Sequence, residues 1–141
     1  MAADIGLRLV LSTGLALSML VFIVFWELGA MDSLGPYWLG TLVYAPVLAY
    51  LVSFCIALAI QYMSCKKVDA AKQAKNATTV PILYYAFVLL LNMLPGLRFP
   101  VEGITNNYDF KTRRAISSGF YAVLMSYLAQ EMVNGNAVKC D

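Results

Sequence analysis

Two long apolar stretches near the start of the chain constrain its fold more than any other feature. Residues 38–63 contain no charged side chain, and residues 9–30 contain one, Glu27, near the end of the stretch. A helix needs about 20 apolar residues to cross the hydrocarbon core of a bilayer. Each stretch therefore predicts a transmembrane helix.

The first stretch also invites comparison with a signal peptide, because Arg8 precedes a long apolar run. The run is longer than the apolar region of a signal peptide. Cleavage at the only plausible point, after Ala30, would place the large Leu28 where a small residue is required. We therefore expect the segment to be retained as a membrane span.

The overall composition suits lipid better than water. Only 13% of the 141 residues are charged and 61% are apolar, whereas soluble domains carry about 25% charged residues. A water-soluble domain with so few charges could not cover its surface with polar groups. The sequence thus predicts one integral membrane domain over residues 1–141, with the lipid bilayer as its surroundings. The net charge of +2, without a basic and aromatic-rich patch, argues against nucleic acid as a partner.

Two weaker apolar segments follow, at residues 80–97 and 115–133. The first is interrupted near its end by Asn92, Pro95 and Gly96, and the second is diluted by serines and by Gln130 and Glu131. Together with the first two, they predict an all-α polytopic transmembrane helical bundle of four spans.

The connections between the segments suggest how the spans are arranged. Residues 31–37 are long enough only to turn the chain straight back, so we expect the first two spans to form an antiparallel hairpin. Pro46 lies inside the second span and predicts a kink. Residues 64–79 form a polar connection rich in lysine, and residues 98–114 form a polar stretch too rich in Pro, Gly and Asn for a regular element.

The basic residues predict which side faces the cytoplasm. Four spans place two groups of basic residues on opposite sides: Arg8, Lys66, Lys67, Lys72, Lys75 and Lys139 against Arg98, Lys111, Arg113 and Arg114. The excess of the first group predicts that both termini are cytoplasmic. In an alternative topology, the third segment enters the membrane and returns near Pro95 and Gly96, which puts both basic loops on the cytoplasmic side. That arrangement fits the charge rule better, but it requires irregular backbone buried within protein.

Small residues recur at every fourth position on three of the predicted helices. Residues at this spacing share one helical face and allow another backbone to approach closely. The predicted helix-packing residues are Gly14 and Ser18, then Ala45, Ala49, Ser53 and Ala57, then Ser118, Ala122 and Ser126. They indicate packing within the bundle, or an interface with other membrane subunits or with further copies of the chain.

A few polar residues in the apolar segments are candidates for a functional site. Glu27 and Asn92 are possible ion or proton sites, because polar groups within spans often mark a pathway. The ordinary interpretation is that Glu27, beside Trp26, reaches the membrane interface, and that Asn92 bonds to a neighbouring helix. Cys65 precedes Lys66 at the end of a span, a setting for S-palmitoylation, although the ordinary interpretation is an unmodified thiol.

The motifs that usually identify an enzyme do not occur. The chain has no histidine, no glycine-rich phosphate loop and no nucleophile elbow, so we predict no catalytic residues, no metal site and no cofactor. The leading hypothesis is a small non-catalytic membrane protein that serves as a subunit, assembly factor or scaffold of a larger complex. The alternatives are a small oligomeric transporter or channel and, third, a membrane-embedded enzyme acting on lipids or quinones.

Overall fold

The structure, a computed structural model, describes residues 2–29, 33, 35–98, 103–104 and 107–139. All the regular secondary structure in these ranges is helical. The principal helices are α1 (Ala2–Glu27), α2 (Ala45–Cys65), α3 (Ala70–Ala77), α4 (Thr79–Met93) and α5 (Phe110–Ala137). A short α-helix (Tyr37–Leu39) and a π-helical segment (Gly40–Tyr44) run directly into α2, and a 3-10 turn (Pro95–Arg98) follows α4. Much of the predicted connections at 31–37 and 98–114 lies outside the described residues.

Three helical stretches of the described chain are long and apolar enough to cross a membrane: Gly6–Glu27, Gly40–Cys65 and Ala70–Met93. This is compatible with an integral membrane protein. The predicted fourth span, residues 115–133, lies within α5, but α5 does not reach the same hydropathy. Polar residues lower the hydropathy of α5, and several of them, such as Ser126, Gln130 and Asn134, are fully buried in the bundle.

The polar connection predicted for residues 64–79 is largely helical, which corrects the sequence interpretation. Lys66 adopts a left-handed conformation (φ 60°) that ends α2. The side chain of Asp69 then accepts a hydrogen bond from the Lys72 backbone N–H at 3.1 Å and caps α3. Alanine-rich sequence continues the helix from there, because alanine has the highest helix propensity.

Helices α1 and α5 form the most extensive contact in the bundle and run antiparallel. Arg114, in the first turns of α5, meets Glu27 at the end of α1, whereas Glu131, near the end of α5, meets Ser12 near the start of α1. The core lies between these two helices and the remaining ones. It is formed by Leu15, Met19, Ile23, Ala45, Ala49, Ile56, Ala57, Ile60, Val80, Tyr84, Ala122, Met125, Ala129, Val133 and Ala137.

Trp26 lies inside the bundle, although its position beside the first connection is typical of an interfacial aromatic residue. Its side chain is 4% exposed, stacks on Phe22 and meets Tyr44 edge to face, with ring centroids 5.6 Å apart. Gly40 makes this approach possible, because a Cβ there would fall 1.8 Å from a Trp26 ring atom. Trp38, in contrast, is 56% exposed.

The N-terminus of α5 is capped by Asp109. Its carboxylate accepts a hydrogen bond from the Thr112 backbone N–H at 2.9 Å. Hydrogen bonds from the Thr112 side chain and backbone lower the pKa of the Asp109 carboxyl below its usual value of 3.8. The cap explains why a helix begins here, at Phe110, within a stretch whose composition indicated no regular element.

Candidate functional site

Glu27 is buried in the bundle and paired with a cation. Its side chain is 2% exposed, and Oε2 lies 2.5 Å from Nε of Arg114. The Arg114 Nη2 also donates to the backbone carbonyl of Glu27 at 3.5 Å. An ion pair therefore joins the end of α1 to the start of α5, and the position of Glu27 at the membrane interface stays a prediction.

A cavity of about 300 Å³ lies beside this ion pair. Its wall includes Glu27 from α1, Asn92 from α4, and Ser118 and Tyr121 from α5. Thus the two residues predicted as possible ion or proton sites, far apart in sequence, line the same space. Apolar and aromatic side chains form the rest of the wall, including Phe87, Val88 and Met125.

Two tyrosines of α4 support the cavity wall where α2 is irregular. Pro46 has no backbone N–H to donate to a carbonyl in the preceding turn. The Tyr84 hydroxyl donates to the Thr41 carbonyl at 2.6 Å, and the Tyr85 hydroxyl donates to the Leu42 carbonyl. Both carbonyls belong to the π-helical segment before Pro46. Sequence reasoning identified the proline but missed the tyrosines, and the signal would have been the need to replace the backbone donor that Pro46 lacks.

A second polar cluster lies at the opposite end of the α1–α5 contact. The Ser12 hydroxyl donates to Oε1 of Glu131 at 2.7 Å and accepts from Nδ2 of Asn134 at 3.0 Å. Gln130 Nε2 donates to Oδ1 of Asn134 at 2.7 Å. Ser12, Gln130 and Asn134 are fully buried. The sequence interpretation missed this cluster because Gln130 and Glu131 looked like the polar end of a span.

The predicted helix-packing residues fall into two groups. Ala45, Ala49, Ser53 and Ala57 are completely buried, as is Ser126, while Ala122 is 7% exposed and Ser118 is half-buried beside the cavity. Gly14 and Ser18 instead lie on an exposed face of α1. A Cβ at Gly14 would meet no atom of another described helix within 4 Å, so the space beside this pair is open at Gly14.

Two of the three cysteines lie in the described ranges, and they are in different states. Cys65 is disulfide-bonded, and Cys55 carries a free, exposed thiol. A disulfide and a thioester use the same sulfur, so lipidation of Cys65 stays a prediction for the reduced protein. Within the described residues, no three His, Cys, Asp or Glu side chains come together as a metal site.

Comparison with known proteins identifies no relative of this chain. No family model matches it, and no curated protein and no solved structure shows a significant similarity.

Proposed function

We propose that the chain is an integral membrane protein of four spans, with α5 as the fourth. Every fourth residue from Ile116 to Met132 on α5 is a large apolar side chain with substantial exposure: Ile116, Phe120, Leu124, Leu128 and Met132. This stripe faces lipid, while the polar residues of the same helix face the bundle. A helix of this kind crosses a bilayer despite its modest mean hydropathy, because only its outer face meets hydrocarbon.

The contacts support an up-and-down arrangement in which the first two spans form a hairpin. The ring contact between Trp26 and Tyr44 joins the end of α1 to the segment leading into α2. At the other end of the bundle, the Asn76 side chain donates to the Val133 carbonyl at 2.9 Å, and Nζ of Lys72 donates to the Lys139 carbonyl at 3.0 Å. Both termini then share the lysine-rich side, which the positive-inside rule assigns to the cytoplasm.

Within the membrane, the protein acts as a non-catalytic subunit or scaffold of a larger assembly. The observation that supports this function is the unfilled small-residue face at Gly14 and Ser18, since the other small-residue ridges are occupied within the bundle. Small residues four apart let a second helix approach closely in lipid. The partner is a transmembrane helix of another subunit or of a second copy.

Site-specific photo-crosslinking in native membranes tests this assignment. A photoreactive phenylalanine analogue at Ser18 is expected to yield a discrete protein adduct, whose mass identifies a partner or a dimer. The control is the same analogue at Leu89, which is 60% exposed on α4. Adducts with lipid alone at both positions would contradict the assembly function.

A second candidate function, transport, is favoured by the cavity. It brings the buried carboxylate of Glu27 and the amide of Asn92 to one site beside a proline-interrupted helix. Ionisable groups inside membrane bundles frequently mark substrate or proton pathways. Transport and assembly are compatible, because a small transporter often works as an oligomer.

A further inference from the structure

Polar residues form a buried stripe along α5, between the cavity and the opposite end of the bundle. Ser126, Gln130 and Asn134 follow one another at every fourth position and are all fully buried. Ser118 lies two turns before Ser126 on the same face, with the apolar Ala122 between them, and both Ser118 and Ala122 line the cavity with Glu27. At 1.5 Å per residue, the stripe from Ser118 to Asn134 is about 24 Å long. This is most of the hydrocarbon thickness of a bilayer, about 30 Å.

One end of the stripe is already a continuous set of hydrogen bonds that ends at a carboxylate. Gln130 bonds to Asn134, Asn134 to Ser12, and Ser12 to Glu131, with each donor–acceptor distance between 2.7 and 3.0 Å. Glu131 itself is partly exposed. The bonded set therefore connects the interior with the surface at this end.

The middle of the stripe has polar atoms without protein partners. Among the described residues, Oγ of Ser126, Oε1 of Gln130 and Oγ of Ser53 are buried and accept or donate no hydrogen bond. The sulfur of Cys65 in α2 contacts the carbonyl of Val138 just after α5, which lies 73 residues later. Ser53 and Ser126 are also 73 residues apart, so they lie at a similar level of the two helices. Buried polar groups of this kind are usually satisfied by internal water.

We propose that these groups hold a file of internal water that forms a proton path between Glu131 and the Glu27 cavity. Hydroxyls and water relay the proton, the amides of Gln130 and Asn134 orient the water, and the two carboxylates exchange protons with the two surfaces. Arg114 is paired with Glu27 at one end of the path, and at the other end Nη2 of Arg8 lies 4.0 Å from where a Cβ at Gly135 would be. The inference rests on the transport candidate and is independent of the assembly function.

Proton flux into reconstituted liposomes provides the direct test. The liposomes contain a pH dye, and valinomycin converts an outward potassium gradient into a membrane potential that is negative inside. Under this potential, the lumen of liposomes with wild-type protein is expected to acidify faster than that of protein-free liposomes. Ser126→Ala and Gln130→Leu are each expected to reduce this flux at least fivefold. Thr13→Ala is the matched control, because its hydroxyl is exposed and bonds to its own helix at Leu9. Wild-type flux equal to protein-free liposomes, or unchanged flux in both variants, would overturn the proposal.

Hydroxyl-radical footprinting by X-ray radiolysis tests the water separately from the flux. Met19 is fully buried in the core, so its sulfur is oxidised only if water lies inside the bundle. Oxidation of Met19 is expected in wild type and should fall at least threefold in Gln130→Leu. An unoxidised Met19 would also overturn the proposal. So would a Ser126→Ala variant that is more stable than wild type, since that gain would mean that the buried hydroxyl had no water to bond. Neither result changes the outcome expected for crosslinking at Ser18.

Discussion

At the scale of single residues, side chains from distant parts of the sequence satisfy two groups that would be costly if left without a partner: carbonyls near Pro46 and the carboxylate of Glu27. Pro46 removes a backbone donor from α2, and the hydroxyls of Tyr84 and Tyr85 satisfy carbonyls of the preceding turn. Glu27 places a carboxylate inside an apolar bundle, and Arg114 neutralises it. In both cases, a group that is costly in a low-dielectric environment is satisfied by a side chain distant in sequence.

Tyr84→Phe tests the first feature. We expect a loss of about 1–2 kcal/mol in the free energy of unfolding, because the Thr41 carbonyl loses a donor in a place without bulk water. Tyr62→Phe, at a 60% exposed position, is the control and should be nearly neutral. The loss should be smaller in a Pro46→Ala background, where the backbone donor is restored. Equal losses in both backgrounds, measured by denaturant titration in bicelles, would refute the coupling.

The Glu27–Arg114 pair predicts a strong energetic coupling. Breaking a fully buried pair costs about 3–5 kcal/mol, and Arg114 is 28% exposed, so we expect about 2 kcal/mol for Glu27→Gln after allowing for solvent screening. The double variant Glu27→Gln/Arg114→Gln should lose less than the sum of the two single variants. If the single substitutions hardly change the free energy of unfolding, and their effects add in the double variant, the result would instead support a Glu27 at the membrane interface.

At the scale of helices, the contact between α1 and α5 depends on the absence of a side chain at Gly119. A Cβ there would lie 2.8 Å from Cδ1 of Leu20 and 3.2 Å from Cγ2 of Val24. The same close contact holds Arg114 near Glu27 and Ser12 near Glu131. The helix pair therefore positions both polar sites.

Gly119→Ala is expected to destabilise the protein by about 1–3 kcal/mol, since overpacking forces the helices or the Leu20 side chain to move. Gly14→Ala is the matched control. It meets no atom within 4 Å and should be neutral or stabilising by up to about 1 kcal/mol through helix propensity. Leu20→Ala should rescue Gly119→Ala. Thermal unfolding of the purified variants measures all three, and equal effects of the two glycine substitutions would contradict the packing argument.

At the scale of the whole molecule, the path of α4 bears on the two topologies. Asn76, in α3 three residues before α4 begins, bonds to the Val133 carbonyl near the end of α5. Further along α4, the ring centroid of Phe87 lies 5.7 Å from that of Tyr121. The helix is uninterrupted from Thr79 to Met93. These contacts support the full crossing that we propose above for the third span.

Labelling of single cysteines tests the topology. The native cysteines are first replaced by serine, and size-exclusion chromatography checks that this protein is folded. In that background, Asn107→Cys is expected to react with an impermeant maleimide from outside the cell. Lys72→Cys should react only after the membrane is permeabilised, since the two positions lie beyond opposite ends of α4. Protection of both positions in intact cells would support the re-entrant alternative.

The sequence by itself determined the class of fold and the approximate position of the apolar helices. Hydropathy is a local sum, and the cost of placing charge in lipid makes a long uncharged stretch such as residues 38–63 interpretable without any tertiary contact. The same local sum is lower along α5, because an average along the chain does not separate its apolar exposed face from its polar buried face. It also missed α3, whose start depends on a cap at Asp69.

Only the tertiary structure decided which polar groups meet. Ser12 and Glu131 are 119 residues apart, and Arg114 lies 87 residues from Glu27. Their pairing follows from the antiparallel contact of α1 with α5, which close packing around Gly119 sets. The spacing of small residues predicted faces capable of close contact, but the bundle decided that the ridge from Ala45 to Ala57 is filled and that Gly14 and Ser18 stay open. Periodicity assigns a residue to a helical face, whereas its neighbour is chosen by contacts between distant segments.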